Sequence, residues 1–158
     1  MARKDITMTP GEVQDFLESG HTLQVATIGP DGAPHLAPMW YVVEEGKVVF
    51  RTFSKSQKIV NLRRDPRLTV LREQGLAYAE LQGVMIKGTA TLVDDPAYVL
   101  EMYRRLAAKY PMVGDAPVHL DDEALEQAFG RFASKNTAVI VEPEKVVTWD
   151  HTKLGGAY

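Results

Sequence analysis

Between Arg51 and Lys58 the chain reads RTFSKSQK, so that Arg51, Thr52, Lys55, Ser56 and Lys58 put five hydrogen-bond donors, three of them cationic, within eight residues. Such a set suits a small anion, because a charge-assisted hydrogen bond to phosphate is roughly twice as strong as a neutral one. The residues that follow, IVNLRRDP, place Ile59, Val60 and Leu62 on an amphipathic helix that Asp65-Pro66 stops. The donors therefore stand at a helix mouth, where free N–H groups and the helix dipole already favour negative charge. A plainer role fits the same residues: Ser54 as the helix cap with Gln57, three residues on, completing a capping box worth about 1 kcal/mol. The two roles are compatible.

The elements that must position these donors read as mostly β. Thr9-Pro10-Gly11-Glu12 has capping-box spacing and predicts a short helix carrying Val13, Phe16 and Leu17, ending near Ser19-Gly20. HTLQVATI alternates, GPDG turns, PHLAPMWYVV resumes an extended pattern, and EEGK turns again into VVFRTF, which gives three antiparallel strands in succession. RLTVLRE and YAELQGVMIKGTATLVD add strands, with Gly83 and Gly88 where a bulge or a close backbone approach would bend the sheet. Asp94-Asp95-Pro96 caps a helix bearing Val99, Met102, Tyr103 and Leu106, a last helix runs from about Glu123 to Arg131, and TAVIVE and KVVTWDH close the chain as two strands.

Six or seven antiparallel strands with small helices at the connections predict a closed or partly closed barrel, the arrangement that removes exposed sheet edges. So few strands fill their own interior, and a cofactor-sized ligand must lie on the outer wall. A pocket there needs a second covering surface, and the commonest source is a two-fold partner; a homodimer with its sites at the interface is expected.

The chain's 158 residues fit one domain, 1–158. A net charge of −3 argues against a general nucleic-acid binder. With no cysteine, thiolate metal sites and thiol nucleophiles are excluded, and a reducing cytoplasm is the expected location. No apolar run approaches the roughly 20 residues that span a bilayer. His21, His35, His119 and His151 lack metal-ligand spacing, so no metal is expected.

The order PHLAPMWYVVEEGKVVFRTFSKSQKIVNLRRDPRLTV resembles the signature of the flavin- and deazaflavin-binding split-barrel superfamily, which includes the pyridoxamine 5′-phosphate oxidases. The resemblance covers Thr22 to about Val93 and returns, more weakly, at PEKVVTWDHTKLGG. It implies that Thr52, Ser56 and Lys58 hold a cofactor phosphate, that Met39, Trp40 and Tyr41 lie beside the ring system, and that Trp149 covers the site from the partner chain. Pro38, inside a strand, marks an edge strand or a bulge, and beside Met39 and Trp40 it offers the alternative of backbone freed to face a ligand. The family's arginine just before the lysine is replaced here by Gln57, so Lys55 or Arg51 must stand in for it. Lys153 matches the place of another basic contact. The oxidase's C-terminal substrate signature is absent, which argues against pyridoxamine phosphate as substrate.

In length, in GPDGAPHLAPMW and in WDHTKLGG the chain is most similar to the F420-dependent oxidoreductase B branch. That resemblance implies coenzyme F420, with FMN as the alternative cofactor, and hydride transfer to an unsaturated organic acceptor. Arg63, Arg64, Arg67, Arg104, Arg105 and Lys109 are candidates for an anionic glutamate tail by charge complementarity. Hydride transfer from a bound ring requires no protein nucleophile. Tyr41, His35 and His151 are the available proton donors, and none is assigned as catalytic. A non-catalytic carrier of flavin, tetrapyrrole or lipid is the rival from another class.

Overall fold

The computed structural model describes residues 6–155. Helix α1 (Pro10–Ser19) begins as its sequence requires: the Thr9 hydroxyl accepts from the Glu12 N–H, and the Glu12 carboxylate accepts from the Thr9 N–H at 2.7 Å. Seven strands follow: β1 (Leu23–Ile28), β2 (Pro34–Met39), β3 (Val42–Glu44), β4 (Lys47–Phe53), β5 (Arg67–Gln74), β6 (Gln82–Val93) and β7 (Asn136–Asp150). They form one sheet in the order β2-β1-β5-β6-β7-β4-β3, every neighbouring pair antiparallel. This is the partly closed barrel that the strand pattern predicts and the split barrel that the family resemblance implies, with α2 (Gln57–Arg64), α3 (Pro96–Lys109) and α4 (Asp122–Ala133) at the connections.

Two strand boundaries differ from the sequence reading. PHLAPMWYVV is interrupted at Trp40-Tyr41, because the Tyr110 hydroxyl takes that backbone out of any ladder. It accepts from the Tyr41 N–H at 3.2 Å and shares its own proton between the Tyr41 and His21 carbonyls, at 3.0 and 2.8 Å. Conversely, TAVIVE and KVVTWDH are one strand, β7, running straight through Pro143. The β6–β7 register shifts between Lys87 and Gly88, opposite this proline, so the missing N–H falls at a bulge. Gly88 is required there, since a side chain would run into the Glu142 carbonyl.

Alternation along β4 builds two cores at once. Val48 and Phe50 point into the barrel with Leu23, Val25, Val70 and Val139, while Val49 faces outward, where Met102, Leu106 and Leu125 of α3 and α4 cover it. The interior is packed with the chain's own side chains, so a large ligand has room only outside. Arg51, the next outward residue after Val49, stands at the margin of the outer cluster.

Candidate cofactor site

A cleft of about 420 Å³ opens between the end of β2, an edge strand, and the C-terminal half of β4; Pro38, Met39, Trp40, Arg51 and Thr52 line it together with Thr22, Phe53 and Leu106. Its size lies within the roughly 300–1,000 Å³ usual for small-molecule sites. Five of the residues read from the sequence are thus brought to one place.

Arg51 is the electrostatic centre of this cleft. Its guanidinium lies 4.1 Å from the Tyr103 ring centroid, and Nη1 donates to Asn136 Oδ1 at 3.1 Å. It forms no ion pair among the described residues, its Nε is buried without a partner, and burial pushes its pKa down. An unsatisfied buried charged donor costs more than the 1–3 kcal/mol of a neutral one. A ligand anion in the cleft is the kind of group that offsets that cost.

The start of α2 differs from the capping box expected. Ser56, not Ser54, is the N-cap residue, and its hydroxyl makes no capping bond. Ser54 Oγ instead meets Thr137 Oγ1 at 2.9 Å, and Gln57 Nε2 donates to Asn61 Oδ1 at 2.7 Å. The first N–H groups of α2 therefore have no side-chain acceptor among the described residues. Thr52, buried at the end of β4, lies 3.4 Å from Ser56 through its hydroxyl. Lys58, in the first turn, is half-buried, has its pKa lowered by desolvation and makes no ion pair among the described residues. Lys55 is exposed beside them.

Other expected residues lie elsewhere. Tyr41 does not line the cleft: it is fully buried, with its hydroxyl donating to the Leu17 carbonyl and Lys109 Nζ 4.1 Å above its ring. Burial raises its pKa, and its side chain is held inside, away from the cleft lining. Trp40, in contrast, stacks on Tyr110 at 4.5 Å and remains over a third exposed. Trp149 lies across Gly83 of its own chain, where any side chain would strike its ring, and is absent from the cleft lining. Lys153 is bound to Glu12 at 2.6 Å and to the Thr7 carbonyl at 2.9 Å, which ties it to α1 rather than to the cleft.

The basic residues singled out for an anionic tail are already engaged. Arg63 pairs with Asp94 at 2.9 Å, Arg67 with Asp65 at 2.7 Å, Arg104 with Glu101 and Asp122, and Arg105 with Glu44 at 2.9 Å. Arg64 donates to the Ile28 carbonyl and Lys109 to that of Tyr41. Exposed pairs are weak, but each carboxylate cancels the field of its cation. Neither Tyr103 nor Asn136 was legible in the sequence as part of the site; both meet Arg51 from distant elements, Asn136 across 85 residues.

This seven-stranded antiparallel wall with its short helices at the connections defines a split-barrel protein. The family described as pyridoxamine 5′-phosphate oxidase matches residues 9–150, and the chain belongs to it. A conserved hypothetical protein, Rv2991, from Mycobacterium tuberculosis is 38% identical, with a TM-score of 0.88 over 98% of this chain and 92% of that one. A structure titled F420 reductase matches at 19% identity and a TM-score of 0.64, over 85% and 94% of the two chains. A FAD-binding protein from Mesorhizobium loti matches at 15% identity and 0.65, over 90% and 94%. The last two likenesses show the fold alone. No curated protein matches the chain.

Proposed function

We propose that the chain is a cytoplasmic, homodimeric oxidoreductase that binds coenzyme F420 at this cleft and passes a hydride from the reduced ring to an unsaturated organic acceptor. The observation that carries the reading is Arg51: a half-buried cation with no ion-pair partner among the described residues and a buried, unpartnered Nε, on the wall of a ligand-sized cleft, beside a helix start whose own donors are uncapped. These residues fit a phosphate-bearing flavin or deazaflavin. Thr52, Ser56, Lys58 and the first N–H groups of α2 hold the phosphate, with Arg51 in the place of the arginine that Gln57 lacks. Pro38, Met39 and Trp40 offer a flat, largely apolar wall to a ring system. When bound, the cofactor supplies the hydride; the protein's residues orient it and exclude water.

FMN is the second reading, and a specific observation favours it: four of the five arginines suited to a glutamate tail, Arg63, Arg67, Arg104 and Arg105, are paired with carboxylates of their own chain, and the fifth, Arg64, is spent on the Ile28 carbonyl. Fluorescence titration of the apo-protein with each cofactor separates the two. Micromolar or tighter F420 binding with much weaker FMN binding is expected; the reverse order replaces F420 by FMN. Lys58→Ala should weaken the preferred cofactor by about 1.5–3 kcal/mol with little change in melting temperature, and unchanged affinity returns the SKSQK segment to helix initiation alone.

A further inference from the structure

The turn that leads into α2 is tied to the barrel by a chain of hydroxyls whose polarity is set at its far end. Asp94, just after β6, accepts from Arg63 Nη2 at 2.9 and 3.1 Å and from Thr137 Oγ1 at 2.6 Å. The Thr137 bond and then the Arg63 pair hold its carboxyl below the usual carboxylate range, so it is ionised at neutral pH and can only accept. A threonine hydroxyl has one proton, and Thr137 commits it to Asp94. The 2.9 Å contact between Thr137 Oγ1 and Ser54 Oγ therefore requires Ser54 to be the donor. Its proton is directed into the protein, away from any ligand.

Two backbone bonds complete the anchor: the Ser54 N–H donates to the Lys135 carbonyl at 3.0 Å, and the Ser56 N–H donates to that of Phe53 at 2.9 Å. Thr137 is fully buried and pairs in register with Thr52 across β4 and β7, so the link joins the loop to the same strand position that carries the cleft's threonine. Of the two serines in SKS, then, only Ser56 keeps a hydroxyl free to donate outward.

We propose that Asp94 and Thr137 are positioning residues of the anion loop: by fixing Ser54 inward they hold the turn from which Ser56 and Lys58 grip the cofactor's phosphate. This rests on the flavin-type cofactor proposed above. The test is titration of the full chain with F420 and FMN, the phosphorus NMR resonance of bound FMN, and the melting temperature, for wild type, Thr137→Val, Thr137→Ser and Ser54→Ala. Thr137→Val should weaken binding about 5- to 30-fold, the equivalent of one lost or orphaned hydrogen bond, and should move the resonance, while Thr137→Ser restores both. Ser54→Ala, at a half-buried position, should act in the same direction and decides the matter should Thr137→Val not fold. A lower melting temperature with wild-type affinity and an unmoved resonance overturns the inference, leaving these residues as packing alone. Failure of the wild type to bind either cofactor is a different result: it removes the cofactor reading itself, and the inference with it.

Discussion

Arg51 shows how a residue proposed to bind a ligand can be expensive to the protein that carries it. Its guanidinium is desolvated against Tyr103, bonded once to Asn136 and left with a buried, unpartnered Nε. Removing a buried charge that lacks a counter-charge is often neutral or stabilising, whereas removing the partner of a bound anion is not. Arg51→Met should therefore leave the apo-protein as stable or more so in denaturant titration, while cofactor affinity falls by about tenfold or more. Equal losses of stability and affinity would mean that Arg51 only supports the fold. In the sequence Arg51 was one of two substitutes for the arginine replaced by Gln57. What separates it from Lys55 is burial, and burial depends on Tyr103 and Asn136, which no spacing rule connects to position 51.

At the level of elements, the strand pattern, the α1 capping box and the buried positions Val99, Met102, Tyr103 and Leu106 were readable because they are periodic or local. The break at Trp40-Tyr41 was not, because its cause is a hydroxyl 69 residues away. Tyr110→Phe keeps the ring under Trp40 but orphans the Tyr41 N–H, and should cost about 1–3 kcal/mol of unfolding free energy. Lys109, beside the same break, adds a pH dependence. Burial, and then the charge of Arg72, lower its pKa from 10.5 to about 8, so between those values the unfolded chain binds more protons than the folded one. Stability then rises with pH from about 8 towards 10. Lys109→Met removes that slope, and parallel melting curves of the two proteins across this window would show that Lys109 titrates normally.

At the scale of the whole molecule the question is what covers the cleft. Phe53 and Trp40, which line it, are exposed by 58% and 37%, and Leu36, two residues before Pro38 on the same edge strand, by 66%. Trp149, which the family resemblance brings to the site from the partner chain, lies against Gly83 of its own chain and does not line that chain's cleft. Both facts are consistent with a two-fold partner that supplies Trp149 to the neighbouring cleft, since a rotation that closes on itself brings each chain's surface to the other. Lys58 and Trp149 would then act in one site from different chains. Lys58→Ala and Trp149→Ala homodimers should each bind cofactor poorly. Unfolding them together and refolding the mixture makes half of the dimers heterologous, and each of those holds one site with both residues intact, so about a quarter of all sites should regain wild-type affinity. Recovery near that level places the two residues in different subunits. No recovery, or a monomer by light scattering, leaves Trp149 a lid for Gly83 and the cleft open to one chain alone.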